Sequence, residues 1–371
     1  MADPLRLAIF LATSGHSGVD RVMTNLIGEF ARRGLAVDLL QIANRGPYMK
    51  TVPEGVRLVD LGSAHVATAF LPLARYLRRE RPRALLSDKD KVNRTALWAR
   101  RFAREETRVV VRLGTTVSVN LASRTAFDRA VQRWSMRRFY RWADAVVVPS
   151  EGVANDLAAF AGLSREQIRV VPNPIVTPEM ARLVRQKPDH PWFTDGAPPV
   201  ILGVGELSER KDFATLVRAF ARLRARRPCR LVILGEGRRR GELERLAADL
   251  GVANDVSLPG FAPNPYPYMA RAAAFALTSR WEGLGIVLVE ALALGTPVVA
   301  CDCPSGPREV LADGRHGPLV PVGDDVALAE ALAGLLAHPP PREVLQAAAQ
   351  PFSAEASARA YAAALGLELP A

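Results

Sequence analysis

The sequence predicts an α/β protein made of two doubly wound, Rossmann-like domains that face each other across a cleft. Two patterns indicate this fold class: short apolar runs alternate with longer amphipathic stretches, and one proline-dense segment separates two such series. The length of 371 residues agrees, because at 49% hydrophobic composition the chain is long for one compact core and sufficient for two α/β domains.

The first series consists of apolar runs that are predicted strands of a parallel sheet, with helices between them. These runs are residues 5–12, 37–41, 84–86, 109–113, 145–148 and 168–171. The first run is interrupted by Arg6, is shorter than the ~20 residues of a membrane-spanning helix, and lacks a charged region with a cleavage site. We therefore expect it to be a buried strand.

Proline density between residues 172 and 199 predicts a connection between domains, because proline interrupts both helices and strands. A second series then begins, with predicted strands at residues 200–204, 231–234, 256–258, 274–277 and 297–300 and predicted helices at 213–227 and 241–250. The predicted organisation is a first domain at residues 1–180, a linker at 181–199, a second domain at 200–350, and a C-terminal helix within 351–371 that packs back on the first domain.

Positive charge is concentrated in the first domain. Residues 1–188 carry a net charge of +14 and residues 189–371 carry −3, which together give the formal +11. Six arginines from Arg124 to Arg141 lie in one predicted helix and form a basic stripe. Because basic amphipathic helices bind anionic bilayers, we expect contact with a membrane surface. The alternative is a solvated helix in an arginine-rich protein, which has 44 Arg and 5 Lys.

The cysteines are few and odd in number: Cys229, Cys301 and Cys303. A large chain with this usage is not organised by disulfides, and we expect a reducing, cytoplasmic compartment. No cluster of histidine and cysteine completes a metal site with Cys301 and Cys303, so we expect two buried residues that follow a strand.

The most informative segment is SRWEGLGIVLVEALALGTP, which places Glu282 and Glu290 eight positions apart across a glycine-rich turn and a predicted helix start. Glycines allow a ligand to approach the backbone, and the free N–H groups of a helix start suit an anion. A carboxylate beside phosphate would instead accept hydrogen bonds from hydroxyl groups. Spacing alone is more typical of surface glutamates, but the flanking residues favour a sugar nucleotide.

Two further glycine turns precede predicted helices. The segment TSGHSGVDRV follows the first strand and contains Gly15 and Gly18, but it is not the complete dinucleotide fingerprint. In GVGELSERKDF, Arg210 and Lys211 lie at the mouth of the next helix. Two cations there are unfavourable for the helix dipole unless an anion lies between them, so we predict an anion site.

These segments together resemble a known family. VGELSERKDFATLVRAF, ILGEG, LPGF and WEGLGIVLVEALALGTPVVACDCPSGPREVL closely resemble the nucleotide-binding domain of retaining GT-B glycosyltransferases of family 4, group 1, which carry a Glu-x7-Glu motif. The likeness covers most of residues 200–325 and is weaker in GHSGVDRV, VVPSEGVANDL and VVPNPI of the first domain. It implies the GT-B fold and transfer of a sugar with retention of its anomeric configuration.

The resemblance assigns residues of the second domain to the nucleotide-sugar donor. It implies that Arg210 and Lys211 clamp the diphosphate, that Glu282 faces the donor sugar, and that Glu290 accepts hydrogen bonds from the ribose. Catalysis would depend on Glu282, Arg210 and Lys211.

The resemblance also assigns backbone groups to the donor. It implies that the N–H groups of Leu284, Gly285 and Ile286 face the sugar and phosphates, and that Gly18 is the phosphate-loop glycine of the first domain. No metal or other cofactor is implied, because cations and helix starts replace it.

The first domain departs from the family pattern and leaves the acceptor side open. Where members often carry a histidine near the reacting centre, VVVRLGTTVSVN offers Arg112, Thr115 and Thr116. His16 in the glycine loop is a candidate substitute, with solvent exposure as its alternative. Asp20 replaces the usual glutamate of the first-domain glycine motif.

The segment from Asp88 to Asp90 formally reads Asp-x-Asp, a metal-binding motif of a different glycosyltransferase fold. We expect no metal here. The alternatives are a loop that meets the acceptor and a plain polar loop, and Asp88 joins His16, Arg112 and Thr115 as candidate acceptor residues.

The expected function is transfer of a sugar from a UDP- or GDP-sugar, with UDP favoured, to a lipid-linked saccharide or surface polysaccharide precursor at the inner face of the cytoplasmic membrane. The alternatives are a UDP-sugar 2-epimerase on the same fold, an inactive homologue, or a basic nucleic-acid-binding protein. Against nucleic acid, the arginines lack interleaved aromatic residues at stacking density and the second domain is acidic.

Overall fold

A computed structural model describes residues 6–12, 18–42, 52–122 and 124–369. The chain forms two compact units: the first comprises Met1–Ile175 and Phe352–Ala371, and the second comprises Val176–Pro351. Each unit contains a parallel sheet wound by helices, as the alternation of apolar runs predicts.

The described residues contain the following strands and α-helices. The strands are β1 (Arg6–Phe10), β2 (Ala36–Gln41), β3 (Val56–Asp60), β4 (Ala84–Asp88), β5 (Arg108–Arg112), β6 (Ala145–Val148), β7 (Ile168–Val170), β8 (Val200–Val204), β9 (Arg230–Leu234), β10 (Val256–Gly260), β11 (Ala274–Leu277), β12 (Val298–Cys301) and β13 (Leu319–Val320). The helices are α1 (Gly18–Arg32), α2 (Phe70–Glu80), α3 (Asp90–Ala103), α4 (Val117–Asn120), α5 (Ala126–Phe139), α6 (Glu151–Ala161), α7 (Pro178–Leu183), α8 (Phe213–Arg224), α9 (Arg240–Asp249), α10 (Tyr266–Arg271), α11 (Ile286–Ala293), α12 (Pro307–Val310), α13 (Asp325–Ala337), α14 (Arg342–Ala348) and α15 (Ala354–Leu365).

The strand order is the same in both sheets apart from one extra edge strand. The first sheet runs β3-β2-β1-β4-β5-β6-β7 and the second runs β10-β9-β8-β11-β12-β13. In each sheet the order reverses beside the first strand of the unit, between β1 and β4 and between β8 and β11. Ligands of such sheets bind beyond the carboxyl ends of the strands at this switch point.

Two strands escape detection from sequence for physical reasons. β3 lies at the sheet edge and most of its side chains are partly or fully exposed, so it lacks a continuous apolar run. β13 has two residues, which is too short for a periodic signal. All eleven predicted strands are confirmed, with β6, β8 and β11 at the predicted bounds.

Local side chains set several helix starts. Ser150 accepts a hydrogen bond from the Val153 N–H at the start of α6, and Ser353 accepts one from the Ala356 N–H at the start of α15. Asp324 accepts from the Val326 and Ala327 N–H groups before α13. Such caps satisfy donors that the first helical turn leaves without partners.

Residues 181–199, assigned to a linker from their prolines, include the end of α7 and pack against other elements of the second unit. The Asp189 N–H donates to the Tyr268 hydroxyl at 3.1 Å, and the Arg230 guanidinium lies 4.8 Å from the ring centre of Trp192. The segment is irregular because of its prolines, but its aromatic side chains pack against residues of the second unit.

The last described helix belongs to the first unit. Arg108 Nε of β5 donates to the Ala364 carbonyl oxygen of α15 at 2.9 Å, and Arg33 pairs with Glu355 at 3.1 Å. At the base of this helix the Ile175 N–H donates to the Phe352 carbonyl oxygen at 2.9 Å. The chain therefore leaves the first unit and returns to it at adjacent positions.

The three cysteines are free and buried. Burial raises the pKa of Cys301 to about 11 and that of Cys303 to about 12, which keeps both thiols protonated near neutral pH. Among the described residues, no helix has both the length and the apolar character needed to cross a bilayer.

Glycine allows two loops of the second unit to touch through their backbones. A Cβ placed on Gly235, after β9, would lie 1.9 Å from the Gly205 carbonyl oxygen, after β8. Gly235 also has a φ of +145°, which side chains rarely adopt. No side chain fits at this position.

We therefore expect Gly235→Ala to destabilise the protein by about 3 kcal/mol, because both the steric clash and the backbone strain oppose the native loop. The matched control is Gly334→Ala in α13, where a Cβ meets nothing within 4 Å and helix propensity predicts a gain of up to about 1 kcal/mol. Unfolding in urea measures both, and equal stabilities would contradict the packing described.

Candidate functional site

The candidate site of the second unit lies where its strand order reverses. Arg210 and Lys211 are in the loop that follows β8, directly before α8, and Glu282 is in the loop that follows β11. Since β8 and β11 are neighbouring parallel strands, both loops emerge at the same edge of the sheet. The fold thus brings together residues that are about 70 positions apart in sequence.

Glu282 forms the centre of this site. Its Oε1 accepts hydrogen bonds from Lys211 Nζ at 2.6 Å and Ser279 Oγ at 2.7 Å, and its Oε2 accepts from Arg210 Nη1 at 3.0 Å. Glu282 and Lys211 are each 7% exposed. One carboxylate therefore faces two cations, so these three side chains together carry one net positive charge.

The environment keeps Glu282 ionised. Burial by itself raises the pKa of this carboxyl, but the charges of Lys211 and Arg210 and the hydrogen bonds from Lys211 and Ser279 outweigh burial, and the pKa lies below its ordinary value. Glu282 and Lys211 therefore form an ion pair that is largely shielded from solvent.

Backbone hydrogen bonds hold the two loops together. The Arg280 N–H donates to the Arg210 carbonyl oxygen, and the Thr278 hydroxyl donates to the Lys211 carbonyl oxygen, both at 2.8 Å. The Glu282 N–H also donates to the Pro304 carbonyl oxygen at 2.9 Å. These bonds fix the backbones that carry both cations and the carboxylate.

Leu284, Gly285 and Ile286 form the entry to α11. Gly285 precedes the helix with a left-handed φ of +86°, and Ile286 is its first residue. A Cβ on the facing Gly306 would lie 2.4 Å from Leu284 Cα, so the loop after β12 packs directly on this turn. Their binding of a donor through N–H groups stays a prediction.

Glu290 lies in α11 and is fully buried. Its Oε1 accepts a hydrogen bond from the Tyr266 hydroxyl of α10 at 3.3 Å. Sequence reasoning missed Tyr266, which lies 24 positions away and carries no motif, and it also missed Ser279, whose only signal is that it begins the motif segment. The assignment of Glu290 to ribose stays a prediction.

In the first unit, Gly18 is the first residue of α1. His16 lies outside the described residues. Thr115 is exposed, and its hydroxyl accepts a hydrogen bond from Asn120 Nδ2 at 2.6 Å.

Asp88 and Arg112, two of the candidate acceptor residues, are buried at strand ends and do not lie in exposed loops. They end the adjacent strands β4 and β5, are each 1% exposed, and pair with each other through Arg112 Nη1 and Asp88 Oδ2 at 2.7 Å. Arg112 also donates to the Tyr361 hydroxyl at 2.8 Å and to Asn173 Oδ1 at 2.7 Å. The burial arises because α15 and the segment around Asn173 close over the strand ends.

Asp88 and Asp90, the carboxylates of the Asp-x-Asp segment, have different arginine partners. Asp88 pairs with Arg112, whereas Asp90 pairs with Arg94 at 2.8 Å. Among the described residues, no group of three or more His, Cys, Asp and Glu side chains is arranged to hold a metal ion.

Comparison with known proteins identifies the family. Residues 16–178 match the model of Glycosyltransferase Family 4, and residues 185–351 match that of Glycosyl transferases group 1. N-acetylgalactosamine-N,N'-diacetylbacillosaminyl-diphospho-undecaprenol 4-alpha-N-acetylgalactosaminyltransferase from Campylobacter jejuni is 30% identical over 342 residues, covering 89% of this chain and 90% of that protein. The chain belongs to glycosyltransferase family 4.

Other relatives agree with this family. The lipopolysaccharide core biosynthesis glycosyltransferase LpsE of Rhizobium meliloti is 29% identical over 325 residues, covering 86% of each chain. The transferase chain also superposes on the lipopolysaccharide outer core galactosyltransferase WaaB with a TM-score of 0.75, at 19% identity and covering 97% of this chain and 99% of that one.

Anabaena HepE in complex with UDP gives a TM-score of 0.74, at 19% identity and with the same two coverages. The likenesses to WaaB and HepE confirm the predicted GT-B fold for the transferase. Because the Campylobacter and Rhizobium relatives carry transferase names, neither the epimerase nor the nucleic-acid-binding alternative is favoured.

The acid dependence of stability tests the Glu282 site. Because the folded-state pKa of Glu282 is lowered from 4.5, its contribution is present above about pH 4.5 and is lost as the pH falls through the folded-state pKa. Glu282→Gln cannot ionise and should lose less stability than the wild type between about pH 6 and pH 3.5. The urea midpoint of unfolding, recorded across this pH range, measures the difference. Glu343→Gln, at an exposed position of α14, is the control. If the midpoints of wild type and Glu282→Gln changed in parallel with pH, the ion site would be refuted.

The buried pair of the first unit has a different test. Arg112→Met leaves the Asp88 carboxylate buried without its cation, which should cost about 3–5 kcal/mol of unfolding free energy. Adding Asp88→Asn should recover part of this loss because no charge then stays unpaired. Arg75→Met on the exposed face of α2 should change stability by less than about 0.5 kcal/mol, and a similar value for Arg112→Met would contradict the structure.

Proposed function

We propose that this glycosyltransferase moves a sugar from a nucleotide-diphosphate donor to a hydroxyl of a lipid-linked saccharide or surface polysaccharide precursor, with retention of configuration and without a metal. The observation that carries the proposal is the Glu282, Arg210 and Lys211 site at the switch point of the second sheet. Its net positive charge and its place beyond the strand ends suit a diphosphate.

The chemistry of the leaving diphosphate defines the role of Arg210 and Lys211. As the bond between the sugar and the diphosphate breaks, negative charge grows on the phosphate oxygens. Arg210 and Lys211 are fixed in place before the reaction and stabilise that charge, which lowers the barrier without reorganisation. A general acid is not needed for such a leaving group, and the two cations take the place of a metal ion.

Glu282 has a second role in this scheme. Its carboxylate accepts hydrogen bonds from both cations, so an arriving diphosphate competes with it for Arg210 and Lys211. The carboxylate is then available to accept hydrogen bonds from sugar hydroxyl groups and orient the ring. The acceptor hydroxyl attacks from the side that the diphosphate leaves, and the departing phosphate oxygen takes its proton.

The remaining donor contacts are part of the proposal. Glu290 binds the ribose, the N–H groups at the start of α11 face the sugar and phosphates, and Gly18 is the phosphate-loop glycine of the first unit. On the acceptor side, the exposed Thr115 is the better candidate, because Arg112 donates hydrogen bonds to Asp88, Tyr361 and Asn173 within its own unit.

The proposed substrates draw support from similar proteins. HepE of Anabaena has been solved with UDP and with UDP-glucose, which favours a UDP-sugar over a GDP-sugar. The name of the Campylobacter relative includes a diphospho-undecaprenol acceptor, which favours a lipid-linked saccharide. We place the enzyme in the cytoplasm, in contact with the inner face of the membrane through the arginines from Arg124 to Arg141.

Protection against thermal unfolding tests the donor site. UDP- and GDP-sugars should raise the unfolding temperature of the wild type, with UDP-sugars more effective. Lys211→Ala should weaken donor binding about 10- to 100-fold, because a charge-assisted hydrogen bond contributes about 1.5–3 kcal/mol. Glu290→Gln should weaken it in the same direction.

Matched substitutions make this test specific. Lys187→Ala and Glu343→Gln change exposed residues of the same unit and should retain full protection. Undiminished donor affinity in both Lys211→Ala and Glu290→Gln would refute the assignment of the site.

A further inference from the structure

Helix α5 presents large apolar side chains to solvent. Phe127, Val131 and Trp134 are 76%, 46% and 63% exposed, and their spacing of four and then three residues places them on one face of the helix. Met136, nine residues after Phe127 and therefore on the opposite side, is fully buried. The helix is held to the unit by one face and carries an apolar stripe on the other.

Rings from neighbouring elements extend this stripe. The Trp134 ring lies 5.8 Å from that of Phe139, which lies 5.4 Å from Trp98 of α3 and 5.2 Å from Trp142. Trp98 is 44% exposed. The aromatic patch, defined as Phe127, Trp134, Phe139, Trp98 and Trp142, is thus a surface shared by α3, α5 and the turn after α5.

Arginines surround the aromatic patch. The guanidinium groups of Arg101 and Arg138 lie 5.3 Å and 5.0 Å from the ring centre of Trp142. Within α5 the only acidic residue is Asp128 against four arginines. Three aromatic residues of α5 lie among these arginines, and the fold adds the rings of Trp98 from α3 and Trp142 from the turn after α5.

Such a surface matches the chemistry of an anionic bilayer. Tryptophan and phenylalanine favour the boundary between headgroups and acyl chains, and arginine binds phosphate headgroups. A second copy of this chain is a poor partner, because a symmetric contact would place the same arginines against each other. The patch is also carried by a helix whose apolar side chains stand outward, which suits a fluid surface rather than a fitted groove.

We propose that the aromatic patch and its arginines form a docking surface for anionic phospholipid, with Phe127, Val131 and Trp134 inserted among the acyl chains and Arg101 and Arg138 at the headgroups. The surface belongs to the first unit and shares no residue with the Glu282 site of the second. It rests on the membrane contact of the proposed function and deepens it by naming the side chains that enter the bilayer.

Sedimentation with vesicles tests the surface, using the full-length protein. Vesicles of phosphatidylcholine with about one third phosphatidylglycerol should bind the wild type, and vesicles of phosphatidylcholine alone should bind it at least about tenfold more weakly. Phe127→Ser with Trp134→Ser should reduce binding at least about tenfold, since two inserted rings are lost. Arg101→Gln with Arg138→Gln should reduce it about fivefold for each arginine.

Two further variants distinguish insertion of the aromatic patch into the bilayer from nonspecific adsorption of the protein to vesicles. Phe261→Ser removes an aromatic ring of the second unit that is 64% exposed, and it should bind vesicles like the wild type. Trp134→Phe should also retain binding, but it should lose part of the tryptophan quenching that brominated lipids produce. Equal binding by the wild type and the serine double variant would overturn the proposal.

The competing partners give different results. Retention of the protein on RNA or DNA without vesicle binding would overturn the proposal. So would a lack of vesicle binding together with a concentration-dependent dimer that the serine double variant abolishes. Thermal protection by sugar nucleotides should be unchanged in the patch variants, so a failure here is distinct from a failure of the donor site.

Discussion

The architecture of the second unit depends on backbone contacts that leave no room for side chains. Gly235 touches Gly205 across the loops after β9 and β8, and Gly306 touches Leu284 across the loops after β12 and β11. Because these loops meet directly, the residues they carry are fixed relative to the sheet. Lys211 extends along Gly205, where a Cβ would lie 2.9 Å from its Cε, and from there reaches Glu282. The close packing at these glycines therefore determines where the charge of Lys211 lies relative to Glu282.

Both units place a buried ion cluster beside the switch point of the sheet, but the two clusters differ in charge balance. In the first unit, Arg112 faces one carboxylate, Asp88, and its other donors reach neutral groups, so the cluster is neutral overall. In the second unit, one carboxylate faces two cations. Only the latter set of side chains has an excess of cations, and the former joins β4, β5, α15 and the segment around Asn173 through hydrogen bonds.

Local patterns in the sequence predict most of the fold and part of the site. Apolar runs reveal buried strands because such strands are apolar on both faces, and the same reasoning fails for β3, whose side chains are largely exposed. The cation pair and the two glutamates are visible as motifs. The ion pair between Lys211 and Glu282 is not visible in the sequence, because the two residues come together only when β8 and β11 pair in the sheet. The Arg112 cluster is hidden for the same reason: its partner Tyr361 lies 249 positions away.

The hydrogen bond between Ile175 and Phe352 has a consequence for how the chain is made. Since the chain leaves and re-enters the first unit at adjacent points, the second unit is an insertion within it, continuous in sequence from Val176 to Pro351. During synthesis the residues of the second unit leave the ribosome before α15, so the first unit lacks Tyr361, and with it a wall of the Arg112 cluster, until the whole second unit has been made. The first unit is therefore the first to begin, yet the chain of the second unit is completed before the segment that carries α15.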